Sequence, residues 1–319
     1  MKRNNKNILV TSISKKVPLL KAVKQAIHKF NPAQSLYGAD IENDVIGRFF
    51  VDEFWEMPKL NEISIDDFIY YCTSNNISYV IPTRDGELKF FSQNKNKLVE
   101  HGIYTMVSQI QAVEACLDKL CFFKTLIKYS FPVIPTYQTV DELSSHTQVV
   151  VKERFGAGSK SIGINLSIKD AIEHSELLNF PIFQPMIEGI EVSVDLYLDK
   201  WGKTKGVISR TRDKVVNGES QMTKTKCIPE LEKTCSDVAE KLKLYGHVIF
   251  QVIVDRQNKF HIIECNCRFG GASTLSLAAG LDSFYWFLLE SKGNDLANFP
   301  FERNTKELSL VRYPQDYIY

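Results

Sequence analysis

The chain has 319 residues, 44% hydrophobic and 24% charged, which suffices for two domains with a packed core. Lys and Arg (39) nearly cancel Asp and Glu (38), and the net charge of +1 gives no reason to expect nucleic acid or an anionic membrane as partner. No apolar run has the length of a membrane span, the basic start leads to Ser12, Ser14, Lys15 and Lys16 rather than a signal-peptide core, and seven cysteines without a framework spacing predict reduced thiols in a cytoplasmic protein.

In chain order, 7–11 reads as a short apolar strand and 17–30 as a helix, with Leu20, Val23, Ala26 and Ile27 at helical spacing. A second strand is predicted at 34–38, a helix at 66–72, a third strand at 78–82, a polar helix at 88–101 and a further strand at 103–107. Strands alternating with helices predict a doubly wound parallel sheet, whose ligands sit beyond the C-terminal strand ends. Ser12, Asp40 and the stretch from Thr83 to Glu87 occupy such ends. The pattern changes near residues 110–118. A helix at 117–129 leads to paired strands around a glycine loop (VVVKERFGAGSKSIG), a helix near 169–178, the strand PIFQPMI and four long antiparallel candidates. This second region reads as α+β.

The segment GHVIFQVIVDRQNKFHIIECNCRFGG carries the sharpest chemical signal. Two β-rich runs flank Arg256–Lys259, so a hairpin is predicted. A two-residue turn at Gln257–Asn258 pairs Asp255 with Phe260, Ile253 with Ile262 and Gln251 with Glu264. Side-chain alternation then puts Gln251, Glu264, Asn266 and Arg268 on one face, with Ile253, Phe260 and Ile262 at its apolar end. Phe250, Val252, Val254, Ile263, Cys265 and Cys267 fall on the other. Oxygen donors clustered on one face suit magnesium, and Arg268 beside them suits an anion. A solvated strand end with a Glu–Arg pair is the competing reading, and the packed opposite face favours a site at a rim. Cys265 and Cys267 point away from Glu264, and with no second cysteine pair they read as core thiols and not as a zinc site.

These residues carry a family likeness. IIECNCRFGG resembles the E-x-N-x-R segment of the ATP-grasp superfamily, and FQVIV, with Gln251 at the first metal position, is most similar to its carbamoyl-phosphate-synthase-like branch. DKLCFFKTLIKYSFPVIPTY resembles the family's Asp-Lys helix, with Lys119 as a phosphate contact. VVVKERFGAGSKSIG resembles its lysine strand and glycine loop, with Lys152, Gly156, Gly158, Ser159 and Lys160 around the phosphates. FQPMIEGIEVSVDL resembles its adenine linker and ribose-binding acid. Gln184, Met186 and Ile187 would line the base, and Glu191 would hold the ribose, with Glu188 as competitor. VISRTRDKVVNGES resembles its basic strand near the transferred phosphate, with Arg210 and Arg212 on one face and Lys214 as a candidate to extend it. The glycine loop is neither a Walker A motif nor a Rossmann turn. Gln251 departs from an acid found in many relatives. IPTRDGEL matches only in outline, and its Asp85 and Glu87 either face the site or cap a helix.

The likeness implies a fold and a chemistry. Residues 1–115 would form a pre-ATP-grasp α/β domain with a doubly wound parallel sheet. Residues 116–319 would form an α+β ATP-grasp fold with an antiparallel core sheet and a lid subdomain at about 148–187. Gln251, Glu264 and Asn266 would hold Mg2+, or Mn2+ in its place, and Lys152, Arg210 and Arg268 would act on the transferred phosphoryl group. The expected activity is an ATP-dependent carboxylate–amine ligase working through an acyl phosphate on small-molecule substrates. The likeness leaves room for a homodimer. Alternatives are phosphorylation of bicarbonate or carbamate and a non-catalytic ATP-binding module.

Overall fold

The computed structural model describes residues 6–143, 148–156, 158 and 161–319. Near the N-terminus β1 (Asn7–Thr11) is followed by α1 (Val17–Phe30), β2 (Leu36–Asp40), β3 (Glu53–Glu56), α2 (Ile65–Ser74), β4 (Ile77–Ile81), α3 (Asp85–Gln93), α4 (Lys95–Glu100) and β5 (Tyr104–Thr105). The five strands form one parallel sheet in the order β3-β2-β1-β4-β5, the doubly wound arrangement expected from the alternation. α1 forms because Pro18 falls in its first turn, where a missing N–H is harmless, and because Leu19, Leu20, Val23, Ala26 and Ile27 share one face. That face is buried, and each large side chain contributes roughly 1.5–3 kcal/mol. Leu20→Asp would break it.

The polar helix predicted over 88–101 is two helices meeting at Asn94, which ends α3 and starts α4. β3 escaped sequence reading because it is a four-residue edge strand with exposed ends.

α6 (Lys119–Ile127) fills most of the helix predicted at 117–129, and α5 (Ile110–Leu117), which was not predicted, precedes it. Asp118 separates them: its backbone is extended, and its carboxylate caps α6 by accepting from the N–H groups of Leu120 and Cys121. A small three-stranded sheet follows, from β6 (Val149–Glu153) and β7 (Gly163–Leu166), then α7 (Ile168–Ser175) and β8 (Pro181–Pro185), in the order β7-β6-β8. It has its own apolar cluster, including Val149, Val151, Ala171 and Phe183.

The remaining chain forms β9 (Gly189–Leu198), β10 (Thr204–Thr211), β11 (Lys214–Val216), β12 (Glu219–Lys224), α8 (Pro229–Lys241), β13 (Gly246–Asp255), β14 (Phe260–Asn266), α9 (Thr274–Ala278), α10 (Ser283–Ser291) and β15 (Ser309–Val311). A four-stranded antiparallel sheet, β10-β9-β13-β14, is the core of this half; β11-β12-β15 is a small satellite sheet. Among the described residues no helix is long and apolar enough to cross a membrane.

The β13–β14 hairpin reaches the predicted pairing by another route. Near the turn Val254 pairs with Phe260 and Val252 with Ile262, one residue off the predicted register. A register shift beyond Val252 then sets Gln251 opposite Glu264 as expected. The extra residue reverses side-chain parity below it. Ile262 is fully buried in the main core with Phe260 packed against it, while Ile263 lines the cleft beside Ile253. Phe260 and Ile262 therefore belong to the core face and Ile263 to the cleft face, a correction that the two-residue turn could not anticipate.

Candidate active site

The core sheet presents one row of polar side chains across all four strands. Arg210 pairs with Ser193, Ser193 with Gln251 and Gln251 with Glu264. These four residues line a cleft of about 2520 Å³ between the core sheet, the small sheet and the C-terminal ends of β1, β2 and β4. Asn266 and Arg268 follow Glu264 on the same face. Asn266 Nδ2 donates to Glu264 Oε1 at 3.2 Å, and Arg268 Nη2 reaches Asn266 Oδ1 at 3.4 Å. The predicted amide, acid, amide and guanidinium are thus brought together.

Arg268 also forms a fork with Asp85, Nε to Oδ1 at 2.9 Å and Nη2 to Oδ2 at 2.6 Å. Such paired charge-assisted bonds fix both position and plane. Asp85 belongs to the N-terminal half, so this pair ties the two halves together at the cleft. Glu87 has the other role considered for these acids. It is buried, takes a hydrogen bond from Ser12 Oγ at 2.7 Å, and accepts from the N–H groups of Thr83 and Arg84 at the start of α3.

The cations come from three elements. Asp118 caps α6 and pairs with Arg154, which fixes Lys119 at the cleft. Lys119 Nζ donates to Gly156 O at 2.9 Å and lies 3.9 Å from Glu264 Oε2. Lys152 projects from β6 with 8% of its surface exposed, and among the described residues it makes no hydrogen bond or ion pair. Burial pushes its ammonium down to about 8, against the opposing pull of Glu264. Arg210, 3% exposed, donates Nε to Asp195 Oδ2 at 2.7 Å, while its Nη1 is buried with no partner among the described residues. Arg212 pairs with Glu191 at 2.9 Å and donates to Gly218 O, and its Nε is likewise unpartnered. Burial lowers the Arg212 pKa despite Glu191.

Asp195 anchors the row from below and is fully buried. It accepts from Arg210, from Ser276 Oγ at 3.0 Å, from Ser273 Oγ and from His247 Nε2 at 3.2 Å. Burial favours its neutral form, but Arg210 and the His247 hydrogen bond prevail and hold it well below the usual carboxylate range. Sequence reading missed it, although an acid two and four residues from Ser193 and Glu191 on an otherwise apolar strand shares their face.

Lys16 was also missed. Its Nζ donates to Ser12 O and Thr83 Oγ1, both at 2.7 Å, and burial lowers its pKa to about 8 although Glu87 opposes this. Its position, just past the first strand and among Ser12, Ser14 and Lys15, was the available signal.

Gly156 and Gly158 line the cleft at φ +125° and +80°, with nothing within 4 Å of an added Cβ. Their backbone is thus open to a ligand, at angles that side chains disfavour. Ser159 and Lys160 lie outside the described residues. Gln184 is buried and donates to Thr136 Oγ1 at 2.8 Å; Met186 and Ile187 line the cleft beside it. Glu191 lines the cleft, but Glu188 does not: its side chain is 66% exposed and pairs with Arg256 on the surface. That placement sets Glu188 apart from the cleft residues. Lys214 is exposed on β11 and is not among the cleft residues.

Known proteins give the arrangement its family. Residues 116–272 match the ATP-grasp domain, and residues 8–107 match the PylC-like N-terminal domain. No curated protein sequence matches the chain. Among solved structures, biotin carboxylase from Campylobacter jejuni, in a complex with a β,γ-ATP compound, superposes with a TM-score of 0.71 at 15% identity, covering 93% of this chain and 73% of that one. The biotin carboxylase domain of Hydrogenobacter thermophilus 2-oxoglutarate carboxylase, a dimer solved with MgADP, ADP and bicarbonate, gives 0.70 at 16%, covering 91% and 70%. N5-carboxyaminoimidazole synthetase from Staphylococcus aureus gives 0.67 at 14%, covering 91% and 80%. At such identities these likenesses speak for the fold. With a doubly wound parallel sheet leading into an antiparallel core, and both halves matched in sequence, the chain belongs to the ATP-grasp superfamily.

Proposed function

We propose that this protein is a carboxylate–amine ligase that uses ATP to activate a small carboxylate as an acyl phosphate and then joins it to an amine. The observation that carries the reading is the cross-strand row Arg210, Ser193, Gln251 and Glu264, continued by Asn266 and Arg268, at the floor of a shared cleft. A small-molecule pocket is typically about 300–1,000 Å³. This cleft is more than twice that, which leaves room for a nucleotide and a second substrate side by side.

The residues fit magnesium and triphosphate. One carboxylate and two amide side chains offer hard oxygen donors on one face, as magnesium shared with phosphates requires. Among the described residues the Lys152 ammonium makes no hydrogen bond and one N–H group each of Arg210 and Arg212 is orphaned, which makes them donors for an anion. Bound magnesium would supply charge neutralisation on the phosphate oxygens. Lys119 and Lys152 would hold phosphate oxygens from the side of the small sheet, and the Gly156–Gly158 backbone would close over them. Arg268, fixed by Asp85, would orient the carboxylate or meet the transferred group. Glu191 would face the ribose, with Met186 and Ile187 against the base. Closure of the small sheet would exclude water from a hydrolysable intermediate.

Glu264→Ala is the direct test. A panel of carboxylates and amines, read by ADP release and mass spectrometry, is expected to reveal a substrate pair for the parent protein. The variant should keep its fold and lose carboxylate-dependent turnover by about 10³-fold or more. Near-normal turnover would reject the metal assignment, and nucleotide binding without turnover on any substrate would reject the ligase.

A further inference from the structure

The back of β14 carries a second constellation. Cys265 and Cys267 alternate with Glu264, Asn266 and Arg268 and therefore face the opposite way, into the core. Cys116, in the last turn of α5, comes to meet them. The three sulfurs lie within 4.8 Å of one another, all three residues are buried, and none is in a disulfide. Sequence reading saw only the Cys265/Cys267 pair, because the third thiol arrives from another element. A buried thiol packs as a small apolar group and gains little from two others beside it, so packing alone does not ask for this convergence.

We propose that Cys116, Cys265 and Cys267 form a second cation site, separate from the nucleotide cleft, for a thiolate-seeking d10 ion of the zinc or copper(I) class. A metal–sulfur bond of about 2.3 Å puts sulfurs about 3.8 Å apart in a tetrahedral site and about 4.0 Å apart in a trigonal one. Both spacings fall within the observed limit. A purely sulfur donor set selects soft ions and excludes magnesium and calcium, so the two faces of one strand address different metals. Binding exchanges three S–H protons for one cation. The centre then carries a net charge of −1 with a divalent ion and −2 with a monovalent one, and the smaller buried charge favours zinc. Among the described residues no fourth His, Cys, Asp or Glu joins the group, so the ion is three-coordinate or completed by a small exogenous ligand. An ion here would clamp α5 to the strand that bears Glu264 and Asn266. This inference does not depend on the proposed ligase activity.

The test uses the full chain, reduced and handled without oxygen, and loaded in separate arms with Zn(II) and Cu(I). After desalting against a weak chelator, metal content per chain is measured. One equivalent of either ion is expected, lost in Cys116→Ala and kept in Cys235→Ala, whose thiol is buried elsewhere. Competition between the ions identifies the preferred one. No retained ion, or equal retention in Cys116→Ala, overturns the proposal. Should Cys116→Ala fail to fold, Cd(II) titration of Cys227→Ala, which lacks the exposed thiol, gives the answer. Thiolate-to-metal charge-transfer absorbance saturating at one equivalent supports the site, and its absence overturns it.

Discussion

The two walls of the cleft differ in how their polar groups are satisfied. On the N-terminal wall Glu87 accepts from Ser12, Thr83 and Arg84, Asp40 accepts from the N–H groups of Ser14 and Ile41, and Lys16 donates to Ser12 and Thr83. These groups are complete without a ligand. On the opposite wall, among the described residues, Lys152 makes no hydrogen bond or ion pair, and single nitrogens of Arg210 and Arg212 are buried without partners. A buried unmet donor costs about 1–3 kcal/mol, more when charged. The first wall is therefore a scaffold, and the second is the surface that we propose a bound anion completes. The Arg268–Asp85 pair joins them.

The largest effect tests what supports the unsatisfied wall. Asp195→Ala would leave Arg210 buried without its counter-ion, and breaking such a pair costs about 3–5 kcal/mol. Urea unfolding should show a loss of that size. A loss below about 1 kcal/mol would mean that Arg210 is held by something other than Asp195.

The next pair of variants should separate the walls by sign. Lys152→Ala removes a buried, unpartnered charge, so the free protein should be as stable as the parent or more so, while nucleotide affinity falls about 10–100-fold. Lys16→Ala removes hydrogen bonds and should destabilise. Equal destabilisation by both would erase the distinction. The pH dependence follows the same logic. The Lys152 pKa is depressed from 10.5 to about 8, so between these values the unfolded chain binds more protons than the folded one. Its contribution to stability therefore rises with pH across that window and is flat outside it. Lys16 and Lys95, also near 8, act in the same direction, so the variant should weaken the rise without abolishing it. Bound phosphate would favour the charged lysine, so nucleotide binding near pH 8–9 should take up a proton in the parent and less in Lys152→Ala. Calorimetry in buffers of different ionisation enthalpy reads this directly.

The functional wall was more legible in the sequence than the scaffold wall. Gln251, Glu264, Asn266 and Arg268 obey strand alternation over a short span, and alternation survives even an error in the turn. The register shift at Ile263 shows why: it moved Phe260 and Ile262 to the other face but left the polar end in place. Lys16, Asp85 and Asp195 were obscure because their partners are distant in the chain. Asp85 meets Arg268 across 183 residues, and Cys116 meets its thiol partners from a different helix. Local periodicity carries no information about such meetings. The doubly wound sheet was visible from alternating elements, whereas the short helix α5, just ahead of the Asp118 cap of α6, was missed.

A smaller effect bears on the junction. Asp85→Asn keeps one acceptor for Arg268 but removes the charge and the fork. Turnover should fall about 3–10-fold through misorientation, with only a minor change in thermal stability, because both side chains are partly exposed. An unchanged turnover would confine Arg268–Asp85 to holding the halves together.

The smallest effect separates the two acids of the EGIE segment. Glu188 pairs with Arg256 at 2.8 Å, but the side chains are 66% and 84% exposed, and such a pair contributes about 0–1 kcal/mol. Glu188→Ala should leave the KM for ATP within about twofold of the parent and stability within about 0.5 kcal/mol. Glu191, on the strand edge of the cleft and bonded to Arg212, should behave differently: its alanine variant should raise the KM for ATP and leave a second cation unpaired. If Glu188→Ala raised the KM and Glu191→Ala did not, the nucleotide would have to lie on the outer side of the β8–β9 turn, and the unsatisfied wall would need another ligand.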